Sequence, residues 1–373
     1  MIQIDQKITT KDLAPLCQQL FSLSAQKVLQ LQKRWDPSKG APVFTVGGKY
    51  ASRGWTEWTQ GFQFGSALLQ FDATDEKQFL DIGRQNTVNH MAKHVSHTGV
   101  HDHGFNIIST YGNLLRLMRE NRIPENSWEK AFYEMALKTS GAVQAARWTS
   151  LQGNLGFIYS FNGPHSLFAD TIRSLRSLAV AHQLGHELMG EGDEKINLLH
   201  RLLIHAETTA RFNVYFGKGR DVYDVRGRVA HESIFNLNDG SYRCPGSQQG
   251  FSPFSTWTRG LAWILLGFSE QVEFLESLPP AAFKPEWNKK NVIKRFVDVA
   301  IEQTQMRFKS RRRFHLEYRD LRARELQLLP DGRSHDVPLP DRDPDRRTTG
   351  DRSVRLRQRA VGCSVRRPAR QLQ

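Results

Sequence analysis

The chain has 373 residues, 39% of them hydrophobic, which is enough for one large core, and length alone would permit two domains or three. No stretch approaches the ~20 consecutive apolar residues that a membrane-spanning helix needs. The net charge of +14 divides unevenly, with +10 carried by residues 307–373 and +4 by everything before them, so the body of the protein is nearly neutral and its basicity belongs to the tail.

In chain order, helical spacing of apolar residues runs over 58–71 and 76–94. It resumes after Asp102, where Ile107, Ile108, Tyr111, Leu114, Leu115 and Met118 share one face. Asn126 and Glu129 have the form of a capping box that opens a helix reaching Ala146. Further helices are predicted over 167–188, 193–212, 257–275 and 285–306, with a short hairpin at Val229–Phe235 before the turn Asn238-Asp-Gly240. Helix alternating with loop predicts an all-α architecture, although no internal repeat by itself establishes a ring of helical hairpins. Near Lys309 the composition changes: arginines crowd in, the last Trp is Trp287 and the last Phe is Phe314. A segment so poor in apolar residues is expected to be disordered. This reading gives a helical domain over 1–306 and an Arg-rich tail over 307–373. The tail reads either as a basic arm for nucleic acid or another polyanion, or as the product of a slipped reading frame, and the second is preferred.

Cys17, Cys244 and Cys363 are widely spaced, odd in number and without a metal-ligand pattern. They fit a reducing compartment. The N-terminus lacks the basic start and apolar run of a secretory signal, so the cytoplasm is the expected location.

Three stretches carry residue types suited to chemistry. His101-Asp102-His103 sits just before a helix, where the dipole favours an ionised carboxylate; a simple capping role for Asp102 is the plainer alternative. Asp170 follows a Pro-containing loop and lies among Phe168, Ala169 and Ile172, where desolvation is expected to raise its pKa as a general acid requires. A helix-dipole Asp is the alternative there. The third stretch, Gln248 to Trp263, brings Gln249, Trp257, Arg259 and Trp263 to a loop and the helix it feeds. Indole faces with amide and guanidinium donors suit a sugar that carries a carboxylate, while two core tryptophans and a solvated arginine are the alternative. His90, His94, His97 and His101 recur at spacings of four, three and four, a zinc-like stripe if one helix persists, with Asp102 or His103 completing the site. Ser96, Thr98 and Gly99 are expected to end that helix, so these histidines read as surface or sugar-contacting residues and no metal or cofactor is called for.

Together these segments resemble glycoside hydrolase family 88, the unsaturated glucuronyl hydrolases. The matching elements, in order, are Trp58-Thr-Gln-Gly-Phe62, His101-Asp102-x-Gly-Phe105, Asp170-Thr-Ile172, and Gln249-Gly-Phe-Ser through Trp257-x-Arg259-Gly-x-Ala-Trp263. His231, within Val229–Gly240, falls in a segment similar to the one that carries a substrate-contacting histidine in the family. The likeness covers roughly residues 50–300, and the related family 105 is its nearest confusion. The resemblance implies an (α/α)6 barrel, and an activity that removes the 4,5-unsaturated uronic acid which polysaccharide lyases leave at the non-reducing end of oligosaccharides. It implies Asp170 as acid/base, Asp102 as the second essential carboxylate, and His101, His231, Gln249, Arg259 and Trp263 as sugar contacts, with Trp58 and Trp257 in the stacking wall. Phe161 stands where many relatives place a Trp. The expected partner is an unsaturated uronic-acid-containing oligosaccharide, with neither nucleic acid nor membrane. The chain departs from the family at Arg173 and Ser174, where apolar residues and an Asn are usual, and at Lys218–Arg228, which reads as an insertion. The family's closing helices are not recognisable after Met306, so the barrel is expected to be incomplete at that end.

Overall fold

The computed structural model describes residues 8–52, 58–221 and 225–303, so the boundary at 306 and the tail lie outside the described residues. The predominant element is the α-helix. Helix α1 (Thr10–Arg34), which the periodicity reading did not single out, opens with the Asp12 carboxylate accepting from the Thr9 N–H at 2.7 Å. Helices α2 (Gln60–Thr74) and α3 (Lys77–His90) pack on each other, and a short α4 (Ala92–Val95) follows a break at Met91. A continuous run comprises α5 (His103–Ile107), a π-helical stretch (Ile108–Gly112) and α6 (Asn113–Arg119). Next come α7 (Ser127–Ala146), α8 (Leu175–Gln183), α9 (Leu198–Phe212) and α10 (Thr258–Ser277), and the described chain ends in a helix over 289–303. The predicted cap at Asn126 is real: its side-chain oxygen accepts from the N–H groups of Trp128 and Glu129 at 3.0 and 3.1 Å.

Two apolar clusters hold the helices together. One gathers Phe64, Leu68, Phe79, Tyr111, Leu114 and Leu137 from α2, α3, the π stretch, α6 and α7. The other gathers Leu178, Leu202, Ile264, Phe268 and Phe296 from α8, α9, α10 and the last helix. Each fully buried Leu or Phe contributes roughly 1.5–3 kcal/mol by the area it removes from water. No helix of the described residues is long and apolar enough to cross a membrane.

Short strands shape the loops. The predicted hairpin forms as β2 (Glu232–Phe235) and β3 (Tyr242–Gly246), turning through Gly240 at φ 68°. It gains a third strand from earlier in the chain, β1 (Ser166–Phe168), antiparallel to β2. This corrects the helix predicted over 167–188: its first residues are strand, Ala169–Ser174 form a 3-10 turn, and α8 begins only at Leu175. The physical reason is tertiary pairing, because Phe168 lies opposite Glu232 and the Ala169 N–H donates to the His231 carbonyl at 2.9 Å. The series His90 to His101 is broken at Met91 and again at Ser96, where α4 ends as expected from Ser96, Thr98 and Gly99. His94 and His103 are buried, not surface residues.

Candidate active site

Two close approaches bring the carboxylates together. Asp102 is the N-cap residue of α5, and its side chain makes no capping hydrogen bond. Asp170 lies in the 3-10 turn Ala169–Ser174. The two elements touch at Gly104, where a Cβ would collide with the Arg173 carbonyl oxygen and Ser174 Cα, so only glycine permits the contact. The Ser174 hydroxyl donates to the His101 carbonyl across the same junction. Both carboxylates then converge on one imidazole: His101 Nε2 lies 3.3 Å from Asp170 Oδ1 and 3.8 Å from Asp102 Oδ1. His101 Nδ1 is buried without a partner among the described residues, so Nε2 is the nitrogen through which this ring acts.

The sheet places the next group. Continuing the β1–β2 register by one residue sets His231 beside Ala169, and the β2–β3 pairing of Glu232 with Gly246 returns the chain to the same end. There the N–H groups of Gln248 and Gln249 donate to His231 Nδ1 at 3.0 and 3.3 Å. That fixes the tautomer, leaving Nε2–H as a buried donor with no acceptor among the described residues. Arg259, at the start of α10, donates to Gln249 Oε1 and lies over the rings of Trp257 and Trp58 at 4.7 and 5.5 Å.

Rings complete the enclosure. Trp58 meets Phe105 at 5.7 Å, and Phe105 meets Trp263 at 5.2 Å. Trp257 lies 4.2 Å from His231, which lies 4.6 Å from Phe168. Phe161, partly exposed, stacks on His101 at 6.0 Å. The two carboxylates and the eight sugar-contact candidates therefore belong to one continuous set of contacts. Phe105, Phe168 and Arg147 join it. Arg147 is buried at the end of α7 and donates to the carbonyls of Thr98, Tyr159 and Ser160 behind Asp102. Local sequence gave no signal for Arg147, since a cation at a helix C-terminus is ordinary.

The electrostatics reverse one expectation. Burial pushes the Asp102 carboxyl up, against the charge of His101, and the neighbouring Asp170 adds to the rise. Burial also pushes Asp170 up, but the charge and hydrogen bond of His101, with His231 and Arg259, outweigh it and hold Asp170 below its ordinary value. The expectation that desolvation would raise Asp170 is thus corrected, because the groups that offset it come from distant parts of the chain. Burial lowers His101 as well, yet the two carboxylates win and raise it. His231 is pushed down to about 4, chiefly by burial, and is neutral.

The remaining candidate chemistry of the region is structural. His94 sits between Gln60 Oε1 at 2.8 Å and Asn106 Nδ2 at 3.1 Å, and His103 between Ser140 Oγ and the His97 carbonyl, both at 2.9 Å. Among the described residues no group of His, Cys, Asp or Glu is arranged to hold a metal ion. The base of the Lys218–Arg228 segment is tied to the site loop by Arg228, which donates to the Pro253 carbonyl at 3.1 Å.

No family model matches the chain. Over 230 residues, 57% of the chain, it is 24% identical to an unsaturated glucuronyl hydrolase of Formosa agariphila. It covers 47% of that protein, so the chain spans about half the length of the curated relative it matches. A solved unsaturated glucuronyl hydrolase specific for heparin superposes with a TM-score of 0.57 at 17% identity, over 76% of this chain and 65% of that one. A second, from Bacillus sp. GL1 and responsible for the degradation of glycosaminoglycan, gives 0.53 at 20% identity, over 75% and 67%. The fold shared with these proteins is the (α/α)6 barrel expected from the sequence. In sequence over its matched half and in fold over three quarters of its length, the chain is thus like the unsaturated glucuronyl hydrolases.

Proposed function

We propose that this chain is a glycoside hydrolase that releases a 4,5-unsaturated uronic acid from the non-reducing end of lyase-generated oligosaccharides. One observation carries the reading: two buried carboxylates from separate elements meet on a single nitrogen of His101, beside an arginine held between indole rings. In this reading Arg259, steadied by Gln249, receives the uronate carboxylate. Trp58, Trp257 and Trp263 form the wall against the sugar ring, with Phe161 at its edge. The unpaired Nε2–H of His231 donates to a substrate oxygen, which satisfies a buried donor that otherwise costs about 1–3 kcal/mol.

Substrate binding itself prepares the acid. In the free protein Arg259 helps to keep Asp170 ionised. A bound uronate draws that charge to itself, and the sugar displaces water, so Asp170's affinity for a proton rises. Asp102, already raised by burial, shares the proton with it as one coupled pair. Asp170 then delivers the proton to C4 of the C4=C5 double bond. As a carboxylate it takes a proton from the water whose oxygen bonds to C5. The resulting hemiketal opens by cleavage of the C5–O5 bond to a ketone at C5. The hemiacetal left at C1 then collapses to an aldehyde, its hydroxyl proton passing to the departing oxygen as the remaining sugar leaves as its alcohol. Direct displacement at the anomeric carbon plays no part, so the separation of the carboxylates does not report inversion or retention.

The test is incubation with a panel of unsaturated disaccharides from different lyases, following the vinyl-ether absorbance. The expected result is a loss of absorbance in step with sugar release. Asp170→Asn is expected to slow it by about 10²–10⁴-fold, the usual contribution of a general acid–base, while still binding the sugar. A well-folded protein that leaves the absorbance of the whole panel intact overturns the proposal.

A further inference from the structure

Arg173 is one of the points at which this chain departs from the family it resembles, and the structure gives it a partner. Its side chain is buried, and Nε and Nη2 each donate to the Glu270 carboxylate at 2.7 Å in a two-point fork. The same guanidinium lies 5.2 Å from the centre of the Trp263 ring and 6.0 Å from that of Phe105. In a 3-10 turn, residues three apart eclipse each other, so Asp170 and Arg173 leave the turn on one side. On α10, Arg259, Trp263, Gly267 and Glu270 recur at helical spacing and form one stripe. The stripe faces the turn along its whole length: Asp170 feels the charge of Arg259, a Cβ on Gly267 would collide with Ile172, and Glu270 holds Arg173.

We infer that Arg173 is a positioning residue that locks the register between the turn bearing Asp170 and the α10 stripe bearing Arg259 and Trp263. The inference rests on the function proposed above. Sliding α10 by one residue would move its stripe by ~1.5 Å, enough to misplace the acid relative to a sugar held by Arg259 and Trp263. A two-point fork resists that slide, and an apolar side chain in its place does not. Among the described residues the Arg173 guanidinium hydrogen-bonds to Glu270 and not to Asp170 or Asp102.

Arg173→Met tests the inference without stranding a carboxylate, because Arg176 Nη1 remains 3.5 Å from Glu270. For Arg173→Met the expected result is a fall in kcat on the order of tenfold to a hundredfold, a smaller change in KM, and an unchanged pH profile. Arg173→Lys, which keeps the charge but not the fork, recovers part of the loss. A second readout does not depend on turnover: 5-fluorotryptophan at Trp263, assigned with Trp263→Phe, gives a 19F resonance expected to shift or broaden in Arg173→Met. Wild-type kcat and KM in Arg173→Met overturn the inference, as does a Trp263 resonance that the substitution leaves unmoved. So does a loss of kcat that disappears well below the unfolding temperature. A wild-type protein that turns over no unsaturated saccharide overturns the proposed function instead, and the fluorine signal then decides the clamp on its own.

Discussion

Gly104→Ala probes the junction that brings the two carboxylates to one imidazole. The added methyl meets the Arg173 carbonyl oxygen and Ser174 Cα, both of them backbone, so no side chain can swing away and the elements themselves must part. Overpacking of this kind costs about 1–3 kcal/mol. Parting also loosens the bond from the Ser174 hydroxyl to the His101 carbonyl, which adds about 1 kcal/mol. Together they lower the unfolding temperature by several degrees, at roughly 2–4 °C per kcal/mol for a domain of this size class. Activity suffers more, since a misplacement of ~1 Å between reacting groups costs about a hundredfold. Gly112→Ala is the matched control, because a Cβ there meets only ordinary contacts, the nearest being Ile108 Cγ2 at 3.4 Å. Thermal unfolding and the vinyl-ether assay, run in parallel on both variants, read the two effects. If Gly104→Ala matches Gly112→Ala in both, the close approach of α5 to the 3-10 turn does not set the site.

Two further outcomes follow from the same geometry. Arg259→Leu removes the charged partner of the uronate, so KM is expected to rise by about ten- to a hundredfold, equivalent to roughly 1.5–3 kcal/mol for a hydrogen bond to a charged group; saccharides lacking the carboxylate should bind both proteins alike. Lowering the pH should destabilise the fold through its buried imidazoles. His94, His103 and His231 are depressed to about 4 and His205 to about 3, each chiefly by burial. Below about pH 6.5 the unfolded chain binds protons that these folded imidazoles refuse, so stability is fully present above that pH and is lost as pH falls toward 4, by up to about 3 kcal/mol per imidazole. Unfolding temperatures measured between pH 7 and 4.5 check the slope, and a flat profile contradicts the burial of neutral histidines.

Much of the site was legible because its motifs are local. Asp102 before a helix, and Trp257, Arg259 and Trp263 at the start of the helix that a polar loop feeds, were candidates from their neighbours. The resemblance to the unsaturated glucuronyl hydrolases added Gln249 and favoured sugar contacts over capping and core roles. What could not be read depends on partners far along the chain. The segment after Pro164 has apolar spacing compatible with a helix, yet pairing with β2 turns its start into strand and tightens Asp170 into a 3-10 turn. Desolvation of Asp170 was visible in its apolar neighbours, whereas the groups that overturn its effect, chiefly His101 with Arg259, come from distant parts of the chain. Arg173 stood out only as an oddity until Glu270, on another helix, supplied its fork. Arg147 gave no sign at all, because its acceptors are backbone carbonyls at Thr98, Tyr159 and Ser160.

In the proposed reaction the Asp102–His101–Asp170 group adds water across a carbon–carbon double bond. Turnover of an unsaturated disaccharide in D2O, with the released uronate sampled during the reaction and analysed by mass spectrometry and NMR, follows where the solvent hydrogen goes. Deuterium on C4 and a ketone at C5, appearing in step with release of the second sugar, are the expected result. A released uronate that keeps its C4=C5 double bond would instead mean ordinary glycosidic displacement and rule out hydration.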